Sequence, residues 1–313
     1  MRLRLLIPAA IVAGLTIASS AQASVLARLY APLHIHPSSA PSPTFISSHF
    51  NTITVQPKML GKYHAKRVGL YTKGTRSATS SYPESWYLHT AGGARVHDSS
   101  RRSFFVMNPA SAGWRHHVVA ACKPSPSFCF LDAMGTDGYT RTVVRPRVSQ
   151  SWWVKETTAL ANYVERASSR YRVVANNLVT ARDPRFQVAY EMFGRTSASR
   201  SLDILRHTQC LCFAKFGTEQ AARYGFTLFL VGAGKGDRIS VGSDSQAGKW
   251  WDFFNTARGL GSALAPPTTS GYIITRKFKN GIVVVNTGRT TQSFVRAGSS
   301  RTLGARQGAI ILN

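Results

Sequence analysis

Only 13 Asp and Glu stand against 39 Lys and Arg in the 313 residues, so few side chains are available for carboxylate chemistry. Two of them occupy matching positions. Asp132 ends the run Phe128-Cys129-Phe130-Leu131, and Glu191 ends Phe186-Gln187-Val188-Ala189-Tyr190. Each run fits a short strand buried on both faces, and each is followed within a few residues by glycine. Two carboxyl groups flanking a glycosidic bond suffice to hydrolyse it: one protonates the leaving oxygen, and the other attacks the sugar or activates a water. Asp132, leading into Thr136 and Asp137, is expected to stay ionised as nucleophile or base. Tyr190, Met192 and Phe193 are expected to give Glu191 apolar surroundings that keep an acid protonated, which makes it the general acid. The competing structural role is a pair of strand ends satisfied by backbone amides or Arg. Glu156, Glu165 and Asp203 fall in helical runs, and Asp183 precedes Pro184 in a turn.

A carboxylate at the C-terminal end of a buried strand is where a (β/α) barrel keeps its chemistry. Strands are expected near 51–56, 67–72, 128–131, 171–175, 186–190, 210–214 and 238–241, with helices over 114–121, 151–166, 199–206, 219–231 and 247–256. This alternation predicts an α/β fold, a (β/α)8 TIM-type barrel over 48–269, its eighth strand hidden in the irregular stretch 84–107. Polar residues recur at the strand ends, and Lys73, Asn176, Lys215 and Asp244 are candidate substrate contacts. Tyr139 and Arg195, in the loops after Asp132 and Glu191, join them. Trp86 belongs to an aromatic and basic stretch, 82–114, whose rings are expected to stack on sugars or to cover the core. Residues 270–313 read as a β-rich appendage: Tyr272–Phe278 and Ile282–Asn286 flank Lys279-Asn280-Gly281, a hairpin signal.

Residues 1–23 read as a signal peptide, with Arg2 and Arg4, an apolar stretch from Leu5 to Ile17, and Ala21-Gln22-Ala23 before cleavage. A secreted or cell-wall-associated protein without an integral membrane segment after cleavage is therefore expected. Four prolines and several serines make 24–47 an extended lead-in. Its His34-x-His36 pair lacks partners at metal-ligand spacing, so no metal site is expected. In an exported chain the four cysteines are disulfide candidates. Cys122 and Cys129 flank a short loop and suit one bridge. Cys210 and Cys212 share one strand face, where a mutual bridge is expected to be strained, leaving free thiols or cross-pairing open.

With 43% hydrophobic residues and a mean hydropathy near zero, the chain can bury a sizeable core. The net charge of +26 points to an anionic cell-wall or matrix polymer as surroundings or partner. Its basic residues are scattered and form no nucleic-acid-binding motif, so no nucleic acid partner is expected. Neither a glycine-rich phosphate loop nor a Gly-x-Ser-x-Gly elbow is present, and no cofactor is expected.

Several short motifs, in order, carry a family resemblance. They are Pro83-Glu84-Ser85-Trp86-Tyr87-Leu88, Gly92-Gly93, Met107-Asn108-Pro109, Trp114-Arg115, Phe130-Leu131-Asp132, Tyr190-Glu191-Met192-Phe193-Gly194-Arg195 and Arg276–Asn286. Together, from about residue 50 to the C-terminus, they resemble secreted glycoside hydrolases with a TIM barrel, and more loosely the endo-α-1,4-polygalactosaminidases. The resemblance implies a polysaccharide substrate and a catalytic pair at Asp132 and Glu191, with Asn176 at the intervening strand end. Two positions depart from the family pattern: Ala133 replaces a second acidic residue, and Asn108-Pro109 replaces Asp-Pro. A carbohydrate-binding or wall-associated barrel without catalysis is the alternative.

Overall fold

The computed structural model describes residues 25–35, 38, 40–98, 101–135, 148–179 and 185–313. The expected signal peptide lies outside them, and no described helix is long and apolar enough to cross a membrane.

Eight strands pair side by side in chain order, every pair parallel: β1 (Tyr30–Ala31), β2 (Thr52–Val55), β3 (Arg67–Lys73), β4 (Phe128–Asp132), β5 (Arg172–Asn176), β6 (Gln187–Tyr190), β7 (Cys210–Ala214) and β8 (Arg238–Val241). A parallel bridge from Leu29 to Ile239 joins the first strand's approach to the last strand and closes the sheet. A closed parallel sheet in sequential order is a TIM barrel.

Alternation along the strands builds its two cores. Tyr30, Phe128, Phe130, Leu211 and Phe213 meet inside the barrel, while Val55, Leu131, Val173, Val188 and Val241 pack outward beneath the helices. Each fully buried Phe contributes about 1.5–3 kcal/mol.

The outer layer is α1 (Pro43–His49), α2 (Ala112–Cys122), α3 (Gln150–Arg166), α4 (Ala198–His207), α5 (Glu219–Gly232) and α6 (Asp252–Arg258). The first five begin at Ser42, Ser111, Ser149, Ser197 and Thr218, each accepting a hydrogen bond from a backbone N–H three residues on. The β2–β3 link holds only a 3-10 turn, Pro57–Met59, in keeping with its shortness. The last helix starts at Asp252 rather than Ala247, because Gly248 takes a positive φ of 81° that ends any helical path there.

The eighth barrel strand is not in 84–107. It is Tyr30–Ala31, within the stretch read as lead-in: two residues are too few to show a period, and the prolines around them mask the signal. The irregular stretch instead forms a three-stranded antiparallel insertion of Arg76–Ser77, His97–Asp98 and Arg101–Val106 between β3 and α2.

The appendage pairs β9 (Thr268–Ser270), β10 (Ile273–Phe278), β11 (Gly281–Asn286) and β14 (Gly308–Leu312) in one sheet, and β12 (Gln292–Arg296) with β13 (Ser299–Leu303) in another. Phe278 pairs with Gly281, so Lys279-Asn280 alone form the hairpin loop. The larger sheet lies against α5, which is why that helix is apolar on nearly all sides, from Tyr224 through Val231. Two contacts lock this packing. Arg276 Nη1 donates to the Ala233, Leu230 and Val231 carbonyls at the end of α5 at 2.8, 3.1 and 3.4 Å. Gly308 sits so close that a Cβ there would lie 1.7 Å from Thr227 Oγ1.

The expected bridge from Cys122 to Cys129 is present, and Cys210 is bonded to Cys212 as well. The second corrects the expectation of free or cross-paired thiols: the Cα atoms of β7's same-face neighbours are 5.3 Å apart, a distance a disulfide spans.

Candidate active site

The alternation that fills the barrel also builds its mouth. Inward positions climb from Phe128 and Phe130 to Asp132 on β4, from Leu211 and Phe213 to Lys215 beyond β7, and from Val174 to Asn176 on β5. Above the aromatic layer, the next inward residue is therefore a polar one at a strand's C-terminal end. His34, Tyr71, Lys73, Arg76, Lys215 and Asp244 line a cavity of about 310 Å³ there, with Asp132 and Glu191. It adjoins a groove of about 750 Å³ that shares Tyr71, Lys73 and Arg76 and runs on to Tyr82 and His117.

Asn176 is the hinge of the arrangement. Its Nδ2 donates to Asp132 Oδ1 at 2.8 Å and to Glu191 Oε1 at 2.9 Å. Since one nitrogen makes both bonds, the accepting oxygens are no more than about 5.7 Å apart. Asp132 also accepts from Tyr71 Oη at 2.6 Å, from the Ala133 amide at 2.7 Å and from Arg76 Nη2 at 3.3 Å. Burial alone would raise its pKa, but the Arg76 charge and the hydrogen bonds from Tyr71, Asn176 and Ala133 outweigh it and hold the carboxyl below its ordinary value. Arg76 is itself fixed by buried Asp98, at 2.7 Å.

Glu191 Oε2 pairs with Lys215 Nζ at 3.2 Å, and the same ammonium pairs with Asp244 at 2.8 Å. Although Lys215 is buried, which disfavours its charge, these two carboxylates raise its pKa. The apolar surroundings expected for Glu191 are not there. Tyr190 and Phe193 are buried in the outer core, Met192 is exposed, and the carboxyl meets Asn176 and Lys215. Period-2 alternation sends Tyr190 outward and Glu191 into the mouth.

The backbone is constrained beside both carboxylates. Ala133 and Asn177 adopt positive φ of 61° and 58°, an uncommon conformation outside glycine that clusters at functional sites. The Glu191 amide donates to Asn177 Oδ1 at 3.0 Å. Gly74 N donates to Asp132 O at 2.8 Å, and Thr75 Oγ1 donates to Ala133 O, strapping the end of β3 to the end of β4.

Of the candidate substrate contacts, Lys73, Lys215 and Asp244 line the cavity and Asn176 bridges its carboxylates. Trp86 does not line it, packing instead with Tyr82, Trp114 and His117 against α2. Arg195 lines a separate cavity beside the appendage. Tyr139 lies outside the described residues. Sequence reasoning missed Tyr71 and Arg76 and considered His34 only as a metal ligand. Tyr71 was within reach, being two residues before Lys73 on the same strand face. Arg76 comes from the insertion, whose position over the mouth has no local signal. His34 stacks on Tyr71 at 4.7 Å between ring centroids, and burial, with the Asp132 charge opposing, pushes it down to about 4. Among the described residues no three His, Cys, Asp or Glu side chains group as a metal-ligand set.

A TIM barrel with two carboxylates bridged at its C-terminal mouth is thus the class that fold and site define. No protein-family model matches this chain, and no curated protein does. Among solved structures, it is similar to the glycoside hydrolase domain of PelA from Pseudomonas aeruginosa, at 13% identity over 72% of this chain and 96% of that one, TM-score 0.46. It is also similar to Aspergillus fumigatus Ega3, solved in complex with galactosamine, at 11% identity over 73% and 95% of the two chains, TM-score 0.45. An α-amylase from Geobacillus thermoleovorans, complexed with acarbose, overlaps at 11% identity over 78% and 76%, TM-score 0.41.

Proposed function

We propose that this chain is an exported glycoside hydrolase acting on a polysaccharide by a retaining, two-carboxylate mechanism. The observation that carries the reading is the single Asn176 nitrogen shared by Asp132 and Glu191. A limit of about 5.7 Å between their facing oxygens favours the roughly 5–5.5 Å carboxyl separation of retaining enzymes over the roughly 6.5–9.5 Å of inverting ones.

Asp132 is the nucleophile. Four donors hold it ionised and oriented, and its side chain keeps 16% of its surface at the mouth. Glu191, at 29% the more exposed of the pair, gives its proton to the leaving oxygen and then takes one from the water that releases the glycosyl group. Lys215 is shared with Asp244 and so is not committed to Glu191 alone. The groove continuing toward Tyr82 and His117 gives further sugar units of a polymer a place to lie, which favours a polysaccharide over a single sugar.

The test is a glycan hydrolysis screen with the wild type and with Asp132→Asn and Glu191→Gln. The reading expects turnover of at least one polysaccharide, its loss in both variants, and unchanged circular dichroism. Glycan binding by the wild type without turnover of any polymer would support the non-catalytic barrel instead.

A further inference from the structure

The barrel mouth is balanced in charge: Lys73, Arg76 and Lys215 face Asp132, Glu191 and Asp244 around the same cavity. Nothing there draws on the chain's net +26. A second concavity does. Between the loop after β6 and the appendage lies a cavity of about 580 Å³, lined by Arg195, Arg289, Arg306 and Tyr272 together with hydroxyl side chains such as Ser197 and Thr287, and by no carboxylate. Its volume falls within the range of small-ligand sites.

Its frame is fixed from both sides. Arg306 Nη2 donates to the Gly194 and Thr196 carbonyls at 3.0 and 3.1 Å, tying the appendage to the loop. Tyr272 is held through its carbonyl, which accepts from the Thr287 amide at 2.8 Å and Thr287 Oγ1 at 3.0 Å. Tyr272 is nevertheless left 60% exposed. Arg195 and Arg289 take part in no ion pair among the described residues. Two guanidinium groups with no counter-charge among the described residues, beside the positive charge of the Arg306 that frames the cavity, match an anionic group that accepts several charge-assisted hydrogen bonds at once. An exposed aromatic ring beside them matches the apolar face of a sugar.

We propose that this cavity is a second, non-catalytic binding site for an anionic sugar residue, one bearing a carboxylate, sulfate or phosphate, through which the chain holds its polymer while the barrel mouth acts. The site rests on the reading of the chain as glycan-active. It also gives Arg195 a role that the catalytic cavity does not.

Binding isotherms of the full chain at 150 mM salt test this, using immobilised polygalacturonate, dextran sulfate, a glycerol-phosphate polymer and neutral dextran as probes. Arg195→Ala/Arg289→Ala and Tyr272→Ala are compared with Lys66→Ala/Arg170→Ala, a charge-matched pair of exposed residues elsewhere, after thermal melts confirm folding. The expected result is binding to at least one anionic polymer, weakened tenfold or more by the arginine pair and several-fold by Tyr272→Ala, with the control pair within twofold. The polymer that is retained identifies the anion. Equal weakening by both charge-removing pairs, or dextran binding as tight as that of every anionic polymer, would overturn the site. No turnover is needed, so a chain that binds in this way yet cleaves nothing refutes the hydrolase reading alone.

Discussion

Replacing Asn176 by alanine removes the one donor that Asp132 and Glu191 share. A hydrogen bond to a charged group contributes about 1.5–3 kcal/mol. Losing one such bond from the transition state corresponds to a fall of roughly 10- to 150-fold in kcat/KM. Asp132 keeps Tyr71, Arg76 and the Ala133 amide, so it remains a competent carboxylate, but its pKa moves upward as one of its donors disappears. Two readouts follow the change: turnover of whichever polysaccharide the screen identifies, and the carboxyl carbon resonance of Asp132, assigned by its absence in Asp132→Asn and titrated in both proteins. The variant should be slow, with its Asp132 midpoint above that of the wild type. A variant within threefold of wild-type kcat/KM whose Asp132 titration has not moved would refute the claim that Asn176 spaces and charges the pair.

His34 makes stability depend on pH. Burial, opposed by Asp132 and aided by Lys215, pushes its pKa from 6.5 down to about 4, so between those values the unfolded chain binds a proton that the folded chain does not. Stability therefore rises with pH through this window, by about 3 kcal/mol in total. Urea unfolding of the wild type against His34→Phe at pH 4 and 7 should show that difference, whereas a flat one contradicts it. The two disulfides should differ in worth. Loop closure over seven residues for Cys122–Cys129 predicts about 2 kcal/mol, and closure over two for Cys210–Cys212 about 1 kcal/mol, measured by denaturation of the two double-alanine variants; the reverse order would count against the entropic account. Gly308→Ala drives a Cβ onto Thr227 Oγ1 and should cost about 1–3 kcal/mol as overpacking. Adding Thr227→Ala should recover part of the loss, and a melt unchanged by the single substitution would show that the appendage packs loosely on α5.

Seven of the eight barrel strands were legible because a strand buried on both faces leaves an unbroken apolar run, as in Phe128–Leu131 and Cys210–Ala214. The polar residue ending such a run marks the mouth, which is how Asp132, Glu191, Asn176 and Lys215 were found. What escaped lacks that signature. Tyr30–Ala31 pairs through two residues only, and its place in the barrel comes from closure onto β8 rather than from any local period. Arg76 reaches Asp132 from an insertion whose path over the mouth is a tertiary outcome. Trp86 carries the right chemistry for stacking on a sugar, but its ring is taken up by Tyr82, Trp114 and His117. The polar setting of Glu191 escaped because its chain neighbours Tyr190 and Met192 point elsewhere, and its real neighbours come from β5 and the end of β7.

The most direct test of the two-carboxylate account is to trap its covalent intermediate. Glu191→Gln would be incubated with an activated glycoside of a sugar that the wild type releases, then acid-quenched, digested and mapped by mass spectrometry. The account predicts one glycosyl adduct, on Asp132, absent from the Asp132→Asn protein. Release of product with no adduct at any time point, or an adduct on another residue, would contradict it.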